Sequence, residues 1–198
     1  MNRREILKIA AAIMGAGLSG SLSQNVLAGL SPTAKPSRAI FNANSSKTVA
    51  VLAEMIIPKT DTPGAIEAGA PAFIEMMVAD WFNDDERKIF FAGMASLDDF
   101  CKEQFKKSFL ACDEEQRTAA LKDSEKSALS YKSAAPAVDI SQKYVDPNTP
   151  FFTKLKELTV LGYFTSEVGA KQALSYNPMP MRYEGDYDFD KVGREWSW

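Results

Sequence analysis

A chain of 198 residues with 23 basic and 26 acidic side chains carries a net charge of −3 and contains no histidine. Without imidazole there is no Ser–His or Cys–His nucleophile pair, no histidine general base and no histidine ligand for a metal or haem. Two cysteines are too few for a four-thiolate zinc or iron–sulfur site, and an acidic surface without basic blocks argues against nucleic acid as a partner.

The N-terminus reads "MNRREILKIA" and then "AAIMGAGLSGSLSQNVLAG": a short basic head, a weakly apolar middle without charge, and small residues where a peptidase can cut. That is the layout of an export signal. The adjacent Arg3 and Arg4, followed by Leu7 and Lys8, point to the twin-arginine route, which carries folded proteins; Ile6 stands where an aromatic is more usual. A stable amphipathic helix is disfavoured by Gly15, Gly17, Gly20 and Gly29. A membrane span is disfavoured by Ser19, Ser21 and Ser23, which shorten the apolar run. Cleavage after Ala28 fits best. The organisation expected is a twin-arginine signal peptide over 1–28, a Pro-rich linker over 29–43 and one helical domain over 44–198, of a size that supports a single core.

A first helix is expected from Asn44 or Ser45, either of which can cap it, with Val49, Leu52, Met55 and Ile56 on one face and Pro58 as its stop. The following "PKTDTPGAIEAGA" centres on a turn in which Pro63 sets φ and Gly64 tolerates positive φ. Asp61 in that turn is expected to bond its own backbone. Pro71 suits the first turn of a second helix with Phe73, Met76, Met77 and Trp81 as its buried stripe. Asn83 with Glu86 forms a capping-box pair opening a third helix to about Lys107. Its apolar side is Phe90, Phe91, Met94, Leu97, Cys101 and Phe105, with Asp98, Asp99, Lys102 and Glu103 turned to water. "DEEQRTAALK" is a shorter helix with acids in its first turn. After an ambiguous stretch, Thr149 can cap and Pro150 can start a last helix with Phe151, Phe152, Leu155, Leu158 and Leu161 at helical spacing, which Gly162 and Gly169 could bend or divide. From about residue 175 the chain is irregular, rich in proline and aromatic residues. About five helices, no strand and no repeat make the fold class all-α.

Two stretches, "TDTPGAIEAGAPAFIEMMVADWF" (60–82) and "FFTKLKELTVLGYFTSEVGAKQALSYNP" (151–178), together resemble the small subunit of membrane-bound gluconate 2-dehydrogenase and related flavin-dependent sugar dehydrogenases, the subunit 3 or gamma-subunit family. The resemblance runs from about residue 47 to the C-terminus and is weakest over 106–148. It rests on the ordered set Thr-Asp-Thr-Pro-Gly-Ala, Ala-Pro-Ala-Phe-Ile, Lys-Glu-Leu-Thr and Gly-Tyr-Phe-Thr-Ser-Glu rather than on any one motif. It implies a subunit that is not the catalyst and binds no cofactor of its own. The partner it implies is a large flavoprotein of the glucose–methanol–choline type, which carries FAD and oxidises the sugar or sugar acid, often with a multihaem cytochrome c as electron acceptor. The small subunit would carry the export signal for the twin-arginine translocase and help the flavoprotein fold and travel. The complex would be periplasmic, membrane-associated only through partners. In "NPMPMRY", Met181 stands where many relatives have glycine, so that turn and its partner contact would differ.

Several residues admit more than one role. Cys101 and Cys112 can form a disulfide if their helices fold back, can stay unpaired, or can bridge to the flavoprotein. The aromatic tail, with Tyr176, Arg182, Tyr183, Trp196 and Trp198, is a candidate partner surface or a wrap for this domain's own core. Tyr163, Phe164 and Glu167 form a second candidate surface, with core packing the alternative for the two rings. Met179 and Met181 could suggest copper, but no histidine or further methionine accompanies them. Met55, Met76, Met77 and Met94 read as core. No catalytic residue is assigned: acid pairs such as Asp84/Asp85, Asp98/Asp99 and Glu114/Glu115 are helix-surface pairs. A free-standing periplasmic helical binding protein or chaperone is the rival function, and a cofactor-free enzyme using carboxylates the weakest.

Overall fold

The computed structural model describes residues 39–132, 146, 148–176, 186 and 188–197. They form five helices of more than two turns: α1 (Ala43–Ile56), α2 (Ala70–Asp80), α3 (Asp84–Phe105), α4 (Glu114–Leu129) and α5 (Phe151–Phe164). A 3₁₀ turn, Phe109–Ala111, precedes α4, and a π-type turn, Gly169–Ala173, follows α5. A one-turn α6 (Phe189–Val192) closes the described chain, together with two-residue strands β1 (Ser175–Tyr176) and β2 (Trp196–Ser197) paired in parallel. The class is all-α, as the helical periodicity implies. The small strand pair is a departure, produced when the C-terminal segment returns beside the π-type turn: the Ser175 amide donates to the Glu195 carbonyl (2.7 Å), and Arg194 donates to the Gln172 carbonyl (2.6 Å).

The architecture is organised around α5. Its residues Phe151, Phe152, Leu155, Leu158, Thr159 and Tyr163 are buried, and it packs against α1, α2, α3 and α4. A helix apolar around most of its circumference belongs inside. Helix α2 makes its broadest contact, because Gly162 lets the Phe73 ring approach: a Cβ there would lie 2.7 Å from it. Helix α3 reaches α5 at Gly93, where a Cβ would fall 2.1 Å from the Phe151 Cβ. Gly162 therefore neither bends nor divides α5; it sets a close helix crossing. Phe90 anchors the centre of the core, meeting the Phe151 ring edge-on at 5.0 Å with Phe41, Phe82 and Phe91 around it, a geometry favoured by the ring quadrupole.

Helix α1 starts earlier than the caps at Asn44 or Ser45 predict. Asn42 is the N-cap, its Oδ1 accepting from the Asn44 and Ser45 amides at 3.0 and 2.8 Å. The cause is tertiary: Phe41 packs on Phe90 and Phe91, and Ile40 joins it against the core. The end of the stretch read as linker is thus part of the body. Helix α2 starts from Gly69 at φ 77°, a left-handed conformation that glycine adopts without a Cβ clash. Its buried face is Ala70, Ile74 and Val78, rotated from the stripe predicted; Phe73 and Met77 are half-buried, and Trp81, just past the helix end, is 74% exposed.

The α3 start matches its sequence signature. Asn83 accepts from the Asp85 and Glu86 amides while Glu86 Oε2 accepts from the Asn83 amide at 3.0 Å, a reciprocal box. Glu86 Oε1 also accepts from Lys154 Nζ at 3.0 Å, and that ammonium lies 4.9 Å from the Phe82 ring centre. This ion pair, 5% and 13% exposed, ties α5 to the α2–α3 corner. Arg87 secures the same corner, donating to the Ala79 and Phe82 carbonyls and pairing with Asp84. At the other end of α3, Asp98 is only partly turned to water: its Oδ2 pairs with the exposed Lys102 at 2.7 Å, while its Oδ1 accepts from the Phe109 amide at 2.8 Å. Arg117 of α4 donates to the Phe109 and Leu110 carbonyls, so the 3₁₀ turn is held from both sides. Helix α5 begins after Pro150 without a side-chain cap; the Thr149 hydroxyl instead donates to the Asp146 carbonyl.

Candidate partner-docking surface

The side of α5 not covered by other helices is where apolar surface reaches solvent. Val160 and Leu161 (48% exposed) and, one turn on, Phe164 lie along it at spacings that put them on one face. A trough runs beside this face. One half, about 690 Å³, lies between α1, α4 and α5 and is lined by Val51, Met55, Ile56, Leu121 and Phe152. The other half, about 640 Å³, continues past Ala128, Leu129, Val160 and Leu161. Glu125, Phe152 and Lys156 border both halves, which places the two cavities side by side. Leu129, 81% exposed at the end of α4, and the exposed Ile66 stand at its two ends. Rim charges have both signs (Glu54, Arg117, Lys122, Glu125, Lys156 and Glu157), so apolar contact rather than net charge would drive an association here.

The Thr-Asp-Thr-Pro-Gly segment lies between Pro58 and Ile66, two residues that line the trough, and it is held from three directions. Glu54 of α1 accepts from the Lys59 amide (3.1 Å) and the Ile66 amide (2.9 Å). Gly64 packs directly on that carboxylate; a Cβ there would lie 2.1 Å from Glu54 Oε1. The Tyr163 hydroxyl donates to the Pro63 carbonyl (2.8 Å), reaching across from α5. Thr60 donates to Asp61 Oδ1, so Asp61 is held through a side chain rather than its own backbone. Lys59, whose amine is raised above its ordinary value by the hydrogen bond and charge of Glu67, forms an exposed pair 2.8 Å long. The chemistry of this segment is thus loop architecture: it fixes Ile66 at the trough's end.

Of the sequence-predicted partner residues, Tyr163 is buried and serves the core and the loop, while Phe164 is exposed with its ring edge-on to Tyr163 at 5.0 Å. Glu167 is exposed and paired with Lys171 at 2.7 Å, which holds its carboxyl below the usual range. Tyr176 lies in β1, and Trp196 in β2 is exposed. Arg182, Tyr183, Trp198, Met179 and Met181, with the export residues Arg3, Arg4, Leu7, Lys8 and Ala28, lie outside the described residues. Of the methionines read as core, Met94 is buried and Met55, Met76 and Met77 are half-buried. Leu161, at helical spacing with Phe151, Leu155 and Leu158, faces out. Sequence reasoning missed Val160, Leu161, Leu129 and Ile66 as surface; the near-continuous apolar run Leu158, Val160, Leu161, Tyr163 and Phe164 was the available signal, because some of those positions had to face away from the core. Cys101 and Cys112 are both buried free thiols in one core cluster. Among the described residues no three His, Cys, Asp or Glu side chains gather as metal ligands, and no helix is long and apolar enough to cross a membrane.

The described residues thus form an all-α body with a central helix and a largely apolar trough rimmed by charges of both signs. The gluconate 2-dehydrogenase subunit 3 family matches residues 43–181, and the chain belongs to that family. Membership makes it an accessory component of a multisubunit dehydrogenase. No curated protein and no solved structure matches it.

Proposed function

We propose that this chain is the non-catalytic small subunit of a periplasmic, FAD-dependent gluconate or sugar dehydrogenase, and that it docks the flavoprotein subunit through the α4–α5 trough. The observation that carries the docking reading is the apolar strip Val160, Leu161 and Phe164 on the outer face of the central helix, continuous with Leu129. Its position suits a partner: the strip belongs to the helix that every other long helix packs against, so a contact there touches the rigid centre of the body. The helix also supplies Tyr163, whose hydroxyl fixes the loop bearing Ile66. The chain itself would bind no FAD; the oxidation would belong to the larger partner, and a cytochrome c subunit could take its electrons.

The leader with Arg3-Arg4 and Leu7-Lys8 supports twin-arginine export, in which one signal serves both subunits and the small subunit assists folding of the flavoprotein before the pair crosses. The test is a periplasmic pull-down on the tagged full chain, beside a variant with Arg3→Lys and Arg4→Lys. The expected result is a flavin-containing protein captured with the wild type, and loss of both proteins from the periplasm in the lysine variant. Capture of the chain alone would favour a free-standing binding protein instead.

A further inference from the structure

Cys101 closes the buried face of α3 near its C-terminal end, and Cys112 stands immediately before Asp113, the N-cap of α4. Both side chains are buried in the same core cluster, and Cys112 lies near enough to Cys101 to hold its thiol above the ordinary value. The connection between them doubles back over the 3₁₀ turn, held by Asp98 on the Phe109 amide and by Arg117 on the Phe109 and Leu110 carbonyls. These are the hairpin and the contact that a bridge between consecutive helices needs. We propose that Cys101 and Cys112 are a disulfide-forming pair that closes when the chain meets a disulfide oxidant in an open state and is shielded once the core has formed.

The chemistry balances by thiol–disulfide exchange. The Cys112 thiolate attacks one sulfur of the oxidant's disulfide and expels a thiolate, giving a mixed disulfide. Cys101 then loses its proton and attacks the Cys112 sulfur, expelling the second thiolate. Two S–H bonds become one S–S bond, the oxidant's disulfide takes two electrons, and the two protons go to its leaving thiolates. In the folded state both steps are slowed, because both thiols are buried away from the oxidant. Burial first, then interaction with the Cys112 thiol, toward which Cys101 acts as donor, and the nearby Asp98 carboxylate push the Cys101 thiol up to about 12, with Arg117 opposing them. A protonated, buried thiol is a poor nucleophile. The bond therefore forms before the core closes, or when the α3–α4 connection opens. A bridge to a partner chain is disfavoured by the same burial. The proposal concerns this chain's own chemistry and does not rest on the export or docking reading.

The test uses the full chain and oxidised glutathione. Reduced protein is treated in its native state, and in parallel is unfolded in denaturant and refolded with the oxidant. The refolded chain is expected to lose two hydrogens by mass, to show no free thiol and no glutathione adduct, and to unfold at higher denaturant than the reduced form. The native dithiol is expected to oxidise slower than the unfolded one by at least about a hundredfold. Cys112→Ser, at the less buried of the two positions, should take up a single glutathione and show no gain in stability on oxidation. Adducts on both cysteines, disulfide-linked dimers, or an oxidised form that unfolds at lower denaturant than the reduced one would overturn the proposal, as would native oxidation at the unfolded rate.

Discussion

Replacing Lys154 with methionine tests the most consequential long-range polar contact in the core. The pair is almost dry, with side-chain exposures of 5% and 13%, and its partners are 68 residues apart in sequence. Methionine keeps much of the volume and the contact with Phe82 but leaves Glu86 Oε1 without its cation. Removing one partner of a buried ion pair costs about 3–5 kcal/mol. Here the lower end applies, because Glu86 Oε2 keeps its bond to the Asn83 amide and part of the charge is stabilised by the helix N-terminus. About 3 kcal/mol is the expectation for Lys154→Met. Glu86→Gln retains an acceptor for the capping box, and the double variant Lys154→Met/Glu86→Gln removes the uncompensated charge; it is expected to recover about half of the single-variant loss or more. The assay is urea denaturation of the four proteins at neutral pH, with m-values compared to confirm two-state unfolding. Strict additivity of the two single substitutions, or a Lys154→Met loss under about 1 kcal/mol, would show that the pair behaves as a solvated surface bridge and would refute the reasoning.

Acid should act through Asp98. Burial raises its carboxyl, but the Lys102 hydrogen bond and charge and the Phe109 amide outweigh that and leave it below its ordinary value. A depressed native value contributes stability that is full above the unfolded carboxylate range, about pH 4, and is lost as pH falls through the lower native value. Asp98→Asn, which keeps an acceptor for the Phe109 amide, is therefore expected to flatten the acid limb of a stability-against-pH curve below about pH 4 while costing on the order of 1 kcal/mol at neutral pH; an unchanged acid limb would contradict it. Gly93→Ala drives a methyl group to 2.1 Å from the Phe151 Cβ. Because that atom is fixed close to the α5 backbone, the helices must separate, at a cost of about 2–3 kcal/mol in denaturation experiments; a neutral result would mean that the α3–α5 crossing is looser than described.

The elements legible in advance are those whose causes are local. The Asn83–Glu86 box is three residues wide, and the α3 stripe from Phe90 to Cys101 repeats at a fixed period, so the helix and its inward face follow from the sequence. The misjudged positions each depend on a partner far along the chain. Helix α1 begins at Ala43 because Phe41 is captured by Phe90 and Phe91. The α2 face rotates because Gly162 accepts Phe73, and Trp81 is left outside where the helix ends. Lys154 is buried because Glu86 waits for it across the fold, a pairing no window around residue 154 contains. The open face of α5 was hidden for a related reason. Helix α5 is apolar on nearly all sides, and periodicity alone does not say which side remains uncovered; only the placement of α1, α2, α3 and α4 assigns the open face to Val160, Leu161 and Phe164.

That open face carries the central claim, and Leu161→Lys addresses it most directly. Leu161 is half exposed and Glu157 lies one turn before it, so a lysine can pair along the helix and the body should keep its stability within about 0.5 kcal/mol. The measurement is the amount of flavin-containing protein that co-purifies with the tagged full chain, wild type against variant, with the denaturation midpoint of each chain as control. Loss of an apolar contact of this size, about 1.5–3 kcal/mol, predicts a fall in affinity of at least about tenfold with an unchanged midpoint. Undiminished capture of the flavoprotein by the lysine variant would show that the α4–α5 trough is not where the partner docks.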